Sequence, residues 1–226
     1  MNTELPRTIR FWGASAIMVG IIIGGGIFRQ PPEIAKYLSS PMVVLAFWLA
    51  GGVLSFFGAL TYAEMATMYP ESGGVYVFLR EGYGRCMAFV FGWTYLLVSK
   101  PFAAGGIAIV FAEHLNPLLG VEWNKSIVTG VVLTALTVLN VGGLRLGSGV
   151  AAVLTAVKVG AIAAVAVLAV VMMKGNAANF AAGPAPVTLL AAVVPVMSGV
   201  LWTYDGWSDV GSIAGEVKEP QKLLPR

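Results

Sequence analysis

Six blocks of apolar residues, joined by short polar stretches, constrain this chain more than any other feature. They run over about Phe11 to Leu38, Pro41 to Tyr69, Cys86 to Leu115, Lys125 to Val141, Ser148 to Met173 and Val187 to Ala214. A helix crossing about 30 Å of hydrocarbon needs around 20 largely apolar residues, and every block meets or approaches that length. The reading is an all-α membrane protein with six transmembrane helices. Composition agrees: 58% of the 226 residues are hydrophobic and 11% charged, against about 25% charged in a soluble domain. A soluble protein of this size needs a wet, charged exterior that these residues do not supply.

Charge and rare residues narrow the function classes. The net charge is +3, but the basic residues are scattered between apolar blocks, as in loops facing anionic lipid, rather than gathered as a nucleic-acid surface. Cys86 is the one cysteine, which excludes an intrachain disulfide, and His114 is the one histidine, with no metal-ligand partner in sequence near it. With so few nucleophiles, bases or deep acids, a membrane-embedded enzyme is not the expectation, and no cofactor or metal is implied. The first apolar block runs into Gly24-Gly25-Gly26 rather than a small-residue cleavage site, which argues against a cleaved signal peptide.

Connections hold the turn formers and charges. Pro70 to Gly74 ends the second block, and Val75 to Tyr83 reads as a short half-buried helix along the membrane surface. Residues 175–186 form a small-residue loop. An even number of spans places both ends on one side. With the N-terminus inside, the inner segments hold eight basic residues (Arg7, Arg10, Arg80, Arg85, Arg145, Lys218, Lys222, Arg226) and the outer ones four (Arg29, Lys36, Lys125, Lys174). The basic bias therefore puts both termini in the cytoplasm. The division is a cytoplasmic N-terminus at 1–10, five helices over 11–174, an extracellular loop and sixth span over 175–214, and a cytoplasmic tail at 215–226.

Two spans carry features that oppose a continuous helix. In the first, Gly24-Gly25-Gly26 lies inside the block. Each glycine costs about 1 kcal/mol relative to alanine in a helix interior, and freed backbone groups at this depth need protein or ligand partners. The alternative is close helix packing, because Gly20 and Gly24 form a small-xxx-small pair, although that leaves the triplet unexplained. In the sixth, Trp202-Thr203-Tyr204-Asp205-Gly206-Trp207 sets a carboxylate and a glycine among aromatics. An intramembrane carboxylate tends to line a pathway; it also serves as a helix cap where a span breaks. Two broken spans at matching positions of repeated halves point to a transporter binding site. Helix N-termini there would face a carboxylate and free carbonyls an ammonium, which suits a zwitterion.

These residues resemble the amino acid–polyamine–organocation superfamily, in particular its L-type amino acid transporter branch. The likeness runs through Ile22-Ile23-Gly24-Gly25-Gly26-Ile27-Phe28, Gly58-Ala59-Leu60-Thr61-Tyr62-Ala63-Glu64, Ser72-Gly73-Gly74-Val75-Tyr76 and Ala88-Phe89-Val90-Phe91-Gly92-Trp93. It continues through Asn140, Arg145-Leu146-Gly147-Ser148 and Thr155-Ala156-Val157-Lys158. It closes on the 202–207 run and Gly215-Glu216-Val217-Lys218-Glu219-Pro220.

The resemblance implies two inverted five-helix repeats plus two further spans, with the first and sixth spans discontinuous. This chain would be the N-terminal half of that fold, ending where a seventh span would begin. It also implies sodium-independent exchange of amino acids by alternating access; the alternatives are a proton- or sodium-coupled symporter and an inactive fragment. By the same resemblance Ile23, Gly24, Gly25, Gly26 and Ile27 form the substrate-carboxylate loop, with glycine at 25 where the family often has serine. Trp202, Thr203, Tyr204, Asp205 and Gly206 form the facing half of the site, with Trp202 as the aromatic closing over substrate.

Lys158 matches a lysine that looks like a replacement for a coupling sodium ion. It lies about ten residues into its block, or roughly 15 Å, deep for a lysine that merely snorkels to the interface. Lys100, before Pro101 in the third block, has no clear assignment. The loop between the third and fourth blocks has no cysteine, so no disulfide-linked heavy chain is expected. The expected partners are small-molecule amino acids and the lipid bilayer, in a cell membrane and without nucleic acid.

Overall fold

The computed structural model describes residues 7, 9–141, 144–172 and 187–223, with backbone only at 144–149, 210 and 213. The loop assigned to 175–186 lies outside them, as do Lys174 and Arg226. The described residues are almost wholly helical: α1 (Phe11–Ile22), α2 (Gly26–Ala35), α3 (Pro41–Met68), α4 (Val75–Tyr83), α5 (Arg85–Thr94), α6 (Lys100–Leu119), α7 (Lys125–Val141), α8 (Leu144–Val171), α9 (Leu189–Tyr204) and α10 (Pro220–Leu223). A π-helical turn, Tyr95–Ser99, joins α5 to α6, and a 3-10 helix, Trp207–Glu216, follows α9.

Five helical stretches are long and apolar enough to cross a membrane: Phe11–Ala35, Pro41–Met68, Arg85–Leu119, Val150–Val171 and Leu189–Asp209. The fourth expected span, α7, is apolar but has 17 residues, at the short end of what crosses a bilayer. Apolar residues face outward along most of these helices, including Phe102, Leu190 and Val170 at 75% exposure or more. The 18-residue apolar window of Val150–Val171 has none of its residues buried by protein, whereas Leu189–Asp209 has 33% buried. Lipid is the solvent that such surfaces require.

The contacts divide into two units, Met1–Phe78 with Thr155–Arg226, and Leu79–Leu154. In the first, a core of Ile34, Leu38, Ala192, Val196 and Val200 ties α2 to α9, with Phe47 and Trp48 of α3 packed on it. Gly51 lets α9 sit directly on α3, since a Cβ there would collide with Val200. Thr188 caps α9 by accepting the Ala191 N–H at 3.4 Å. The segment before α1 is pinned by a parallel bridge: Ile9 N–H donates to Glu216 O at 3.0 Å and Lys218 N–H to Ile9 O at 2.8 Å.

In the second unit α6 and α7 form a hairpin. Gly120 adopts φ +66° at the end of α6, and Asn124 Oδ1 accepts the Ser126 N–H at 2.9 Å to begin α7. The ammonium of Lys100 lies 4.8 Å from the ring centre of Tyr95, at the π-helical turn. His114 stays on an exposed face of α6, its Nδ1 2.8 Å from Val110 O. Cys86 is exposed near the start of α5.

Candidate functional site

The first break is narrow. α1 ends at Ile22, and α2 begins at Gly26, so only Ile23, Gly24 and Gly25 are unwound. Ile23, at φ −75° and ψ 73°, centres an inverse γ-turn in which Gly24 N–H donates to Ile22 O at 2.7 Å. That turn redirects the donor that would have continued α1, so Gly20 O loses its partner four residues on. Lys158 supplies the replacement: its Nζ donates to Gly20 O at 3.0 Å. Lys158 is half-buried and sits at the midpoint of the 28-residue α8.

Beyond the break, hydrogen bonding resumes with Phe28 and Arg29, whose N–H groups both donate to Gly25 O at 3.3 and 3.1 Å. Among the described residues, the N–H groups of Gly25, Gly26 and Ile27 have no backbone acceptor. They form the N-terminus of α2, where aligned peptide dipoles and free donors favour an anion. Gly25 is exposed, with open space where a Cβ would stand, while Gly26 is buried against Thr203.

The second break has a different construction. α9 ends at Tyr204, Asp205 turns to φ −64° and ψ 151°, and Gly206 adopts φ +120°, in the region that side chains disfavour. The chain continues as a 3-10 helix rather than the α-helix expected, with Asp209 N–H donating to Gly206 O at 3.2 Å. Thr203 Oγ1 donates to Gly199 O at 2.9 Å and is buried. The two breaks abut at two points: a Cβ on Gly26 would meet Thr203 Cα at 3.2 Å, and one on Gly206 would meet Ile22 N at 3.2 Å.

The remaining predicted residues separate by role. Tyr204 is committed to α3, its hydroxyl donating to Trp48 O at 3.2 Å and its ring edge-on to Trp48. Trp202 and Asp205 are exposed and come together in a groove of about 390 Å³ with Leu54, Ser55 and Trp207. Ile23 and Ile27 are half-buried beside the first break.

A cavity of about 350 Å³ was not foreseen. It lies between α1, α3 and Trp207, with Ser15, Ile22, Phe56 and Tyr62 among its lining residues. Tyr62 meets Trp207 edge-on at 5.8 Å. The apolar repeat on α1 and α3 signals buried helix faces but does not show that they leave a space between them. Among the described residues, no charged side chain lines it. No group of three or more metal-binding side chains occurs among the described residues.

Paired broken helices among long apolar helices are the arrangement on which secondary transporters build a binding site. Residues 9–226 match the amino acid permease family, and the chain belongs to it, within the amino acid–polyamine–organocation superfamily. The family is one of permeases, and the long apolar helices suit a multi-pass membrane protein. The chain is 32% identical to the serine/threonine exchanger SteT of Bacillus subtilis, over 100% of its own length and 52% of the relative's. It is 35% identical to the rabbit b(0,+)-type amino acid transporter 1, over 99% of this chain and 47% of the relative. With the human cystine/glutamate transporter it shares 30% identity over 99% of this chain and 46% of the relative. The chain thus spans about half the length of the curated relatives it matches.

Proposed function

We propose that the chain carries the substrate-binding breaks of a sodium-independent exchanger of neutral amino acids that works by alternating access. The observation behind this reading is the bond from Lys158 Nζ to the orphaned Gly20 O. A fixed ammonium at mid-span does for the unwound carbonyl what a bound cation would do, and it needs no ion gradient. The substrate carboxylate is assigned to the N–H groups of Gly25, Gly26 and Ile27, and its ammonium group to carbonyls at the ends of α1 and α9. Trp202 and Asp205 border the site, Thr203 and Gly206 hold the breaks together, and Tyr204 anchors the second break to α3. Ile23 and Gly24 form the turn that exposes the donors.

Both observed termini are assigned to the cytoplasm of a cell membrane from the basic bias of the loops. The same orientation puts Cys86 inside, and no disulfide-linked heavy chain is proposed. An impermeant maleimide should then label Cys86 in inside-out vesicles and spare it in right-side-out ones.

The test is uptake of a labelled neutral amino acid by proteoliposomes holding the chain, with and without unlabelled substrate inside. Stimulation by internal substrate in sodium-free buffer supports exchange. Dependence on sodium overturns it. A second reading, proton-coupled symport, draws on the exposed Asp205 carboxylate at the break. Uptake driven by a pH gradient and lost in Asp205→Asn would select it.

A further inference from the structure

Lys158 reaches Gly20 only because α8 comes very close to α1 at that residue. Thr155 lies one turn before Lys158 on α8, so the two share a helix face. That face meets Gly20 twice. Lys158 Nζ takes its carbonyl at 3.0 Å. A Cβ added to Gly20 would stand 2.9 Å from Thr155 Oγ1 and 3.5 Å from its Cγ2. Gly20 lies within α1 and outside the left-handed region, so its backbone does not require glycine. The need for glycine here is the approach of Thr155.

We infer that Gly20 and Thr155 are positioning residues, a spacer that sets the distance over which Lys158 holds the first break open. The two contacts are mechanically linked: any side chain between Thr155 and Gly20 moves the α8 face outward and carries Lys158 away from the carbonyl. Once that carbonyl is free, Gly24 N–H can return to it and α1 can extend into the break. The inference rests on the role assigned to Lys158, yet the spacing can be measured separately from transport.

A helix-propensity effect alone predicts the opposite sign. Gly20→Ala improves helix propensity by about 1 kcal/mol, so without the spacer it would stabilise α1. The experiment uses the 226-residue chain with 15Nζ-labelled lysine in lipid nanodiscs, observing the ammonium resonance that disappears in Lys158→Met. Gly20→Ala is expected to abolish this slowly exchanging resonance, and Gly20→Ala with Thr155→Ala to restore it. Thr155→Ile, which thickens the opposite side, should reproduce the loss with Gly20 intact.

Uptake adds a second readout. KM should rise about tenfold in Gly20→Ala, as for loss of a charge-assisted hydrogen bond, and return towards the original value in the double variant. An unaltered resonance in Gly20→Ala, or a loss that Thr155→Ala does not restore, would overturn the spacer. Resonances that follow the expected pattern while KM stays constant would uphold the spacer and reject the role of Lys158 in transport.

Discussion

The two breaks lie side by side but are held by different physics. The second is local: Gly206 takes φ +120°, and the following 3-10 turn closes on its carbonyl through Asp209. The first contains two of three successive glycines, yet none of Gly24, Gly25 and Gly26 has positive φ. Its turn forms at Ile23, and the carbonyl that this turn abandons is satisfied by a lysine 138 positions along the chain. One break is therefore written into its backbone, while the other depends on a distant charge. A switching element needs two arrangements of similar energy, and the break held from a distance is better suited to that task.

The largest expected effect is at the locally built break. Gly206→Ala forces a side chain into a disfavoured φ and places its Cβ 2.9 Å from Ile21 Cγ2. It should destabilise the chain by about 2–4 kcal/mol, visible as a lower thermal unfolding midpoint. An unchanged midpoint would remove the distinction between the breaks.

Lys158→Met comes next. It leaves Gly20 O without its charged donor and should cost about 1.5–3 kcal/mol, read as at least a tenfold loss in uptake or binding. A variant that transports as well as the parent would show that the first break does not need the lysine.

Smaller still is a contrast within the glycine triplet. Gly26→Ala pushes on Thr203 at 3.1 Å and should cost about 1–3 kcal/mol, as overpacking does. Gly25→Ala meets nothing within 4 Å at φ −70° and should be nearly silent in the same unfolding measurement. Equal effects would mean the triplet acts through flexibility rather than contact.

The smallest effect belongs to the segment after the second break. The hydrogen bond from Lys222 holds the Glu219 carboxyl below its ordinary value. Its folded-state value is depressed, so any stabilisation is present above the ordinary carboxylate range and is lost as pH falls through the depressed value. Both side chains are exposed, and Glu219→Gln should leave the unfolding midpoint almost unchanged at every pH.

Much of this was legible in the sequence, for physical reasons that differ by element. Apolar length is a strong signal, and it located the long helices; α4 and α7 have the bounds their flanking turn residues suggest. The breaks were visible because glycine runs and an intramembrane Asp-Gly are costly unless used. Their extent was not. The first spans three residues because Gly26, packed on Thr203, already starts α2, and that contact is tertiary. The same limit hid the bond from Tyr204 to Trp48, the pairing of Ile9 with Val217, and the cavity beside Trp207. Lys158 stands out through its depth and through the family lysine it matches; its partner, Gly20, is marked in the sequence only by a packing pattern. Apolar length also does not show that a π-helical turn interrupts the third span just before Lys100-Pro101. Proline has no N–H to continue an α-helical ladder, and a wider turn is one way the chain accommodates it.

The most direct measurement is uptake of a labelled neutral amino acid into proteoliposomes holding this chain, without sodium and with unlabelled substrate inside or absent. A fixed ammonium in place of a coupling ion predicts uptake that internal substrate accelerates and that added sodium leaves unchanged. Uptake that appears only with an inward sodium gradient would contradict the role given to Lys158.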